Sequence, residues 1–352
     1  MQGLIGCELA RLYRHALARQ HPLEYLQWEC TRRCDLSCLH CGSDCRKDSS
    51  VPDMPLERFR EALREVAAFA DPRTVMLGIT GGEPLLRADL EDCGSAAAEL
   101  GFRWGLVTNG MGLSASRLDS LLSAGLSSLS ISLDGLEASH NALRRHPEAF
   151  DRASRAIREA AARSGLVFDV ISCIHPGNFG ELEAVEDLLV SLGVRAWRVF
   201  AIFPKGRAGA NRALSLGSEG LARLLRAIAS IRERGRIDAS YSCEGWLGPY
   251  EGRARDAPFS CRAGVSSMAI LCDGSVTGCV SMGPEWAVGR LGERGLAPLW
   301  EHGFDSMRRR AWLKTGPCAR CASWRACEGG SLHLRAGDGG LGACPYKGLA
   351  SS

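Results

Sequence analysis

No run in the 352 residues approaches the ~18 consecutive apolar positions that a membrane-spanning helix needs, which excludes a helical membrane protein. Charge of one sign is also scarce. Lys and Arg number 43 against 40 Asp and Glu, for a net charge of +3, and no basic stripe tracks along the chain, so nucleic acid is not an expected partner. The first twenty residues, MQGLIGCELARLYRHALARQ, lack the apolar core of a signal peptide and place Glu and Arg among their apolar positions. They read as an amphipathic helix, without lipidation at Cys7, and the expected location is the cytoplasm.

What is abundant is cysteine: sixteen residues, five of them within positions 30 to 45 (CTRRCDLSCLHCGSDC). Reducing compartments keep thiols unpaired, so a disulfide framework is the wrong reading for a chain of this length. Metal or iron–sulfur ligation is the better one. Hydrophobic residues at 45% and charged residues at 24% are ordinary for a globular protein, with room for one large domain and one smaller one.

From residue 24 to 202, short β-rich runs alternate with helical patterns, as in parallel βαβ units. Six strands are expected, over 24–30, 74–80, 102–108, 127–133, 166–172 and 195–202. Between the first two, Leu56, Phe59, Leu63, Val66 and Ala70 recur at helical spacing behind a Pro55 start signal. The pattern predicts an α/β fold, a partial (β/α)6 TIM-like barrel with functional loops at the strands' C-terminal ends. A Gly- and Ser-rich connector and one more helix (LARLLRAIASIRER) follow, and then a cysteine-rich tail from about residue 259. Its Asp273-Gly274 pair, between strand-like runs, predicts a β-hairpin. The tail has too few apolar residues for a core of its own, so its cysteines are expected to hold it together. The expected divisions are 1–22, N-terminal helix; 23–215, barrel; 216–258, linker; and 259–352, small cysteine-rich domain.

Cys34, Cys38 and Cys41 form C-x-x-x-C-x-x-C after the first strand. Three thiolates on one loop can hold three irons of a cubane and leave the fourth open to a small molecule. Zinc is the alternative, but zinc loops usually add a second ligand pair to C-x-x-C. This arrangement resembles the radical S-adenosylmethionine (SAM) superfamily. The resemblance implies a [4Fe–4S] cluster that cleaves SAM to a 5′-deoxyadenosyl radical. It also implies that Gly81 and Gly82 let the backbone approach the SAM amino group while Glu83 accepts from its ammonium. Ser132 and Asp134 would bond ribose hydroxyls, and Asn109 would lie near the methionine moiety, a plain turn residue before Gly110 being the alternative. His140, Arg144 and Phe150 match a segment of the peptide-modifying branch in which Asn141 replaces an acidic residue. Arg207, in FPKGRA, would face the SAM carboxylate or the substrate, with a solvated surface role as the alternative. Cys30 reads as a buried small thiol, and Cys45 receives no role. Cys93, Cys173 and Cys243 read as packing residues.

The tail pattern, Cys261-x12-Gly274-x4-Cys279 and then Cys318, Cys321, Cys327 and Cys344, resembles the SPASM extension of radical SAM enzymes, with a zinc ribbon as the alternative. The resemblance implies a second auxiliary cluster on Cys318, Cys321, Cys327 and Cys344. The first keeps Cys261 and Cys279, with Cys272 as the candidate third thiolate, because Ser331 stands where the family has its next cysteine; an open iron, a [2Fe–2S] core, a Ser331 oxygen ligand and no cluster at all are the alternatives. The expected activity is hydrogen abstraction from a peptide or small protein. The segment around CLHCGSDC also resembles a subgroup associated with small lipoproteins. Sulfatase-maturating relatives carry an acidic base where this chain has Val280. Tetrapyrrole modification of the haem-synthase kind and an electron carrier without SAM chemistry are the competing readings. Expected partners are a reductant such as flavodoxin or ferredoxin and, since too few residues precede the first strand to form a leader-binding domain, either a separate recognition protein or direct docking of the peptide at the barrel mouth.

Overall fold

A computed structural model describes residues 2–242, 245–342, 344, 347 and 349; Cys243 and the side chain of Cys7 lie outside what it describes. Helix α1 (Gln2–Gln20) leads into β1 (Tyr25–Glu29), α2 (Leu56–Ala67), β2 (Met76–Thr80), α3 (Leu90–Glu99), β3 (Arg103–Thr108) and α4 (Ala115–Ser123). The chain continues through β4 (Leu126–Ser132), α5 (Glu137–Arg144), α6 (Ala149–Ala161), β5 (Val167–Ile174), α7 (Leu182–Ser191) and β6 (Ala196–Ala201). Next come α8 (Gly217–Arg234), β7 (Asp238–Tyr241), β8 (Ser267–Ile270), β9 (Ser275–Thr277) and β10 (Gly289–Arg290). Each of the six expected barrel strands is present.

Strands β1 to β7 pair in parallel and in chain order, the arrangement that right-handed βαβ crossovers produce. Alternation along each strand explains how this sheet makes both a core and a cavity. Leu26 and Trp28, Leu77 and Ile79, Leu129 and Ile131, and Trp197 and Val199 are buried in the main core, where Trp28 stacks on Phe59 of α2 at 3.8 Å. Intervening positions are small or polar, and across three strands Ser130, Asp169 and Arg198 bond one another. A parallel sheet normally reads as continuous apolar runs because both faces are covered. Here one face is left to line a cavity.

The tail joins this sheet. The Asp273-Gly274 turn forms as expected: Gly274 takes φ +84°, and Asp273 Oδ1 accepts from Ser275 N at 2.9 Å. Strand β8, however, pairs in parallel with β1, placing Tyr25 opposite Ser267 and Trp28 opposite Ile270, and β9 and β10 extend the same ten-stranded sheet. Met268, Ile270, Val276, Trp300, Phe304 and Met307 are buried in the barrel's own core. The tail therefore packs on apolar contacts borrowed from the barrel, where the sequence led us to expect cysteine ligation alone. Strand β7 was not anticipated either; its four residues, DASY, are too short and too polar to stand out.

Candidate iron–sulfur and SAM site

A cavity of about 570 Å³ opens at the C-terminal ends of the strands. Its wall carries Cys34, Cys38 and Cys41 from the loop after β1, Gly81 and Gly82 after β2, Asn109 after β3, Ser132 ending β4 and Cys173 near the end of β5. Residues 280–285 of the tail close another side. Val280 is held there by its amide, which donates to Gln27 Oε1 at 3.0 Å.

The cysteine loop is clasped from three directions. The loop after β2 is stitched beneath it, with Gly82 N donating to Thr31 O at 2.7 Å and Glu83 N to Arg33 O at 2.8 Å. This approach requires glycine, because a Cβ at Gly82 would lie 2.0 Å from Arg33 O. From the segment after β6, Arg207 donates to Cys38 O, Asp44 Oδ1 and Cys45 O at 2.8 to 2.9 Å, and its amide donates to Cys41 O at 3.0 Å. From α5, Arg144 directs Nη1 toward Cys38 Sγ at 3.8 Å.

Burial pushes the Cys34 thiol up to about 12 and also raises Cys38, which the Arg144 charge partly offsets. Cys41 moves the other way, to about 5, chiefly because the Cys45 thiol donates to it. Cys45, left without a role by the sequence, is thus a buried hydrogen-bond donor to a loop thiolate. Such bonds help set iron–sulfur reduction potentials.

Two residues expected to touch SAM point elsewhere. Glu83 is buried behind the cavity wall, where Oε1 accepts from Thr108 Oγ1 at 2.7 Å and Leu85 N at 3.1 Å, and Oε2 accepts from Asn109 N at 2.8 Å. With three donors already on it, this carboxylate braces the ends of β2 and β3 and does not await an ammonium. Asp134 is also buried; it accepts from Arg144 Nε at 2.6 Å and Cys173 N at 2.9 Å. Burial alone would raise its carboxyl, yet Arg144, His40 and His140 hold it well below the usual range. It anchors Arg144 and faces no ribose. Arg207 lines the cavity while its guanidinium holds the cysteine loop. Ser132 and Asn109 also reach the cavity, and Asn109 Nδ2 donates to Asp35 Oδ1 at 2.7 Å. The αL turn weighed for Asn109 belongs to Gly110, at φ +80°.

His40 and Lys205 also line the cavity and were not singled out beforehand. His40, inside the cysteine motif itself, faces the cavity, and burial holds its imidazole neutral, down at about 4. Lys205 donates to Ser281 O across the barrel–tail junction, and burial lowers its ammonium. Its place in the quoted FPKGRA stretch was the available signal.

In the tail, Cys318, Cys321, Cys327 and Cys344 come together: burial first, and then the neighbouring Cys344, Cys318 and Cys321, push Cys327 up to about 11. Arg335 Nη2 reaches Cys318 Sγ at 3.3 Å. Cys261 and Cys279 are also neighbours, both raised by burial, although the Arg310 charge brings Cys261 to a net lowering. Cys272 is not with them. Because β8 runs beside β1, its following turn lies over the β1 end, where Cys272 N donates to Glu29 Oε2 at 3.1 Å and its thiol to Pro52 O at 3.4 Å. The expected third thiolate is therefore absent from that group. Ser331 is buried, and the amide of the adjacent Leu332 donates to Cys261.

A parallel βα barrel with a three-cysteine loop at its mouth, joined to a tail with two further cysteine groups, defines an iron–sulfur enzyme. A family model of the radical SAM superfamily matches residues 28–189, and one of an iron–sulfur cluster-binding domain, SPASM, matches 261–322. The chain belongs to the radical SAM superfamily and carries a SPASM domain; its cofactors are a [4Fe–4S] cluster, SAM and auxiliary iron–sulfur centres. It is 29% identical to PqqA peptide cyclase of Methylobacterium sp. (strain 4-46), over 88% of this chain and 82% of that protein. AdoMet-dependent heme synthase of Methanosarcina barkeri is 26% identical over 92% of this chain and 95% of that protein. In fold it is similar to Streptococcus suis SuiB bound to S-adenosylmethionine, with a TM-score of 0.71 at 18% identity over 94% of this chain and 80% of SuiB.

No described helix is long and apolar enough to cross a membrane.

Proposed function

We propose that this enzyme modifies a peptide or small protein, with Cys34, Cys38 and Cys41 holding the [4Fe–4S] cluster and SAM occupying the adjoining cavity. The observation that carries the site reading is the placement of these three thiols on one wall of a cavity that also exposes the Gly81–Gly82 backbone, Asn109 and Ser132. The similarity to PqqA peptide cyclase carries the substrate reading. A soft, three-thiolate donor set fits an iron–sulfur cube with one open iron.

Held by Cys34, Cys38 and Cys41, the cluster would supply one-electron reduction of SAM and with it radical hydrogen abstraction from the substrate. The chain's own residues prepare this. Arg207 and the β2 loop hold the cysteine loop in one conformation, as preorganised ligands require. Asp134 anchors Arg144, which steadies Cys38. The Ser132 hydroxyl is placed to bond a ribose, and the backbone at Gly81 and Gly82 to accept an amino group. Cys318, Cys321, Cys327 and Cys344 hold one auxiliary cluster, while Cys261 and Cys279 hold iron with fewer thiols, beside Ser331. A one-electron reductant of the flavodoxin or ferredoxin class and a separate recognition protein complete the system.

The test is anaerobic reconstitution with iron counting and a dithionite-driven assay for 5′-deoxyadenosine. At least about 8 irons per chain are expected from the two better-furnished sites, and about 10 to 12 if Cys261 and Cys279 also bind iron. Deoxyadenosine should form in wild type and vanish in Cys41→Ala. A fully loaded wild type that makes none would leave an electron carrier. Similarity to the heme synthase supports a second reading, tetrapyrrole modification. Consumption of a tetrapyrrole, with peptides untouched, would favour it.

A further inference from the structure

A second cavity, also about 570 Å³, opens between α1 and the tail, remote in sequence from the barrel-mouth loops. Its lining contains Cys261 from one auxiliary group and Cys327 from the other. It is also where positive charge collects. Five arginines line it against two carboxylates, Asp305 and Glu328, an excess as large as the net charge of +3 carried by all 352 residues.

These arginines divide by depth. Arg14 is committed to Glu328 at 3.3 Å, and Arg308 to backbone carbonyls including Gly264 O at 2.8 Å. Arg310 lies inside, where its guanidinium bonds Met307 O and Gly330 O and also hydrogen-bonds the Cys261 thiol. Arg19 and Arg309 stand at the opening; the Arg309 side chain is 83% exposed and lies 3.7 Å from the Asp305 carboxylate. Exposed cations at the mouth of a cleft lined by Cys261 and Cys327 suit an acidic visitor. Charges so placed steer association of an acidic partner more than they hold it.

We propose that this cleft docks a small acidic one-electron carrier protein and admits its electron through the auxiliary centres. The proposal rests on the reading that Cys261 and Cys327 belong to iron sites. A carrier suits the cleft better than a substrate does, because hydrogen abstraction requires contact with the barrel-mouth cavity, whereas electron transfer requires only proximity to iron. The carrier gives up one electron and iron in the tail accepts it; no bond is made or broken.

The experiment compares the reconstituted wild type with Arg19→Glu and Arg309→Glu, and with Arg73→Glu, an exposed arginine outside the cleft. Reduced flavodoxin and a plant-type ferredoxin serve as probes. Binding is measured across a salt series, and the rate of iron–sulfur bleaching by stopped flow. Each cleft reversal is expected to weaken carrier binding on the order of tenfold and flatten its salt dependence, with SAM affinity retained. Arg73→Glu should match wild type. Equal binding and equal reduction rates in all four proteins would overturn the proposal, as would an equal loss in Arg73→Glu. Binding of poly-glutamate but of neither carrier would assign the cleft to an acidic peptide and overturn it too. Failure of wild type to make deoxyadenosine with dithionite would instead count against the radical SAM reading, independently of the cleft.

Discussion

Buried behind the cavity wall, the Glu83 carboxylate couples protonation to folding. Burial lifts it from an ordinary 4.5 to about 7, against the pull of Asn109, Thr108 and Leu85 as donors. Between those values the folded chain keeps a proton that the unfolded chain has lost. Stability from this group is therefore greatest below pH ~4.5 and falls, by about 3 kcal/mol, as pH rises to ~7. Denaturant titration of the iron-free, reduced protein should show that slope, and Glu83→Gln should remove its share; an unchanged slope would show that Glu83 is ionised throughout. Glu83 also shows where the sequence stops being legible. The motif TGGEP located the residue at a strand end, as SLDG did Asp134 and FPKGRA did Arg207. These motifs carried no information on which way each side chain turns, because that depends on hydrogen-bond partners supplied from other segments: Thr108 and Asn109 as donors to Glu83, Arg144 and Cys173 as donors to Asp134, and the carbonyls of Cys38 and Cys45 as acceptors for Arg207.

At the scale of elements, the loops after β1 and β2 behave as one piece, since the second is hydrogen-bonded underneath the first. Gly82→Ala should break that seam, because its Cβ would meet Arg33 O at 2.0 Å, with a cost of about 3 kcal/mol or more. Gly42→Ala, on the same cysteine loop but with open space around its Cβ, should be tolerated. Thermal melts and iron content after reconstitution separate the two: Gly82→Ala loses barrel iron, and Gly42→Ala keeps it. Equal iron in both would mean that the seam does not position the thiols. Elements were also what the sequence displayed best. Period-2 and period-3.6 patterns are local, so β1 to β6 and α2 stood out. The parallel pairing of β8 with β1 joins segments some 240 residues apart and leaves no local pattern to read.

For the whole molecule, the shared sheet implies that barrel and tail unfold together. Hydrogen exchange on iron-free protein should show the amides of β8 protected as well as those of β2, since both flank β1. Free exchange in β8 beside a protected β2 would show that the tail needs iron to stay folded.

Strand β1 has a further part to play in how the chain keeps to itself. Flanked by β2 and β8, it never presents an open edge. A fragment ending before residue 259 would uncover Tyr25–Glu29, a short run without proline or lysine whose backbone N–H and C=O groups would be left unpaired, an invitation to self-association. The tail is thus the barrel's guard against aggregation.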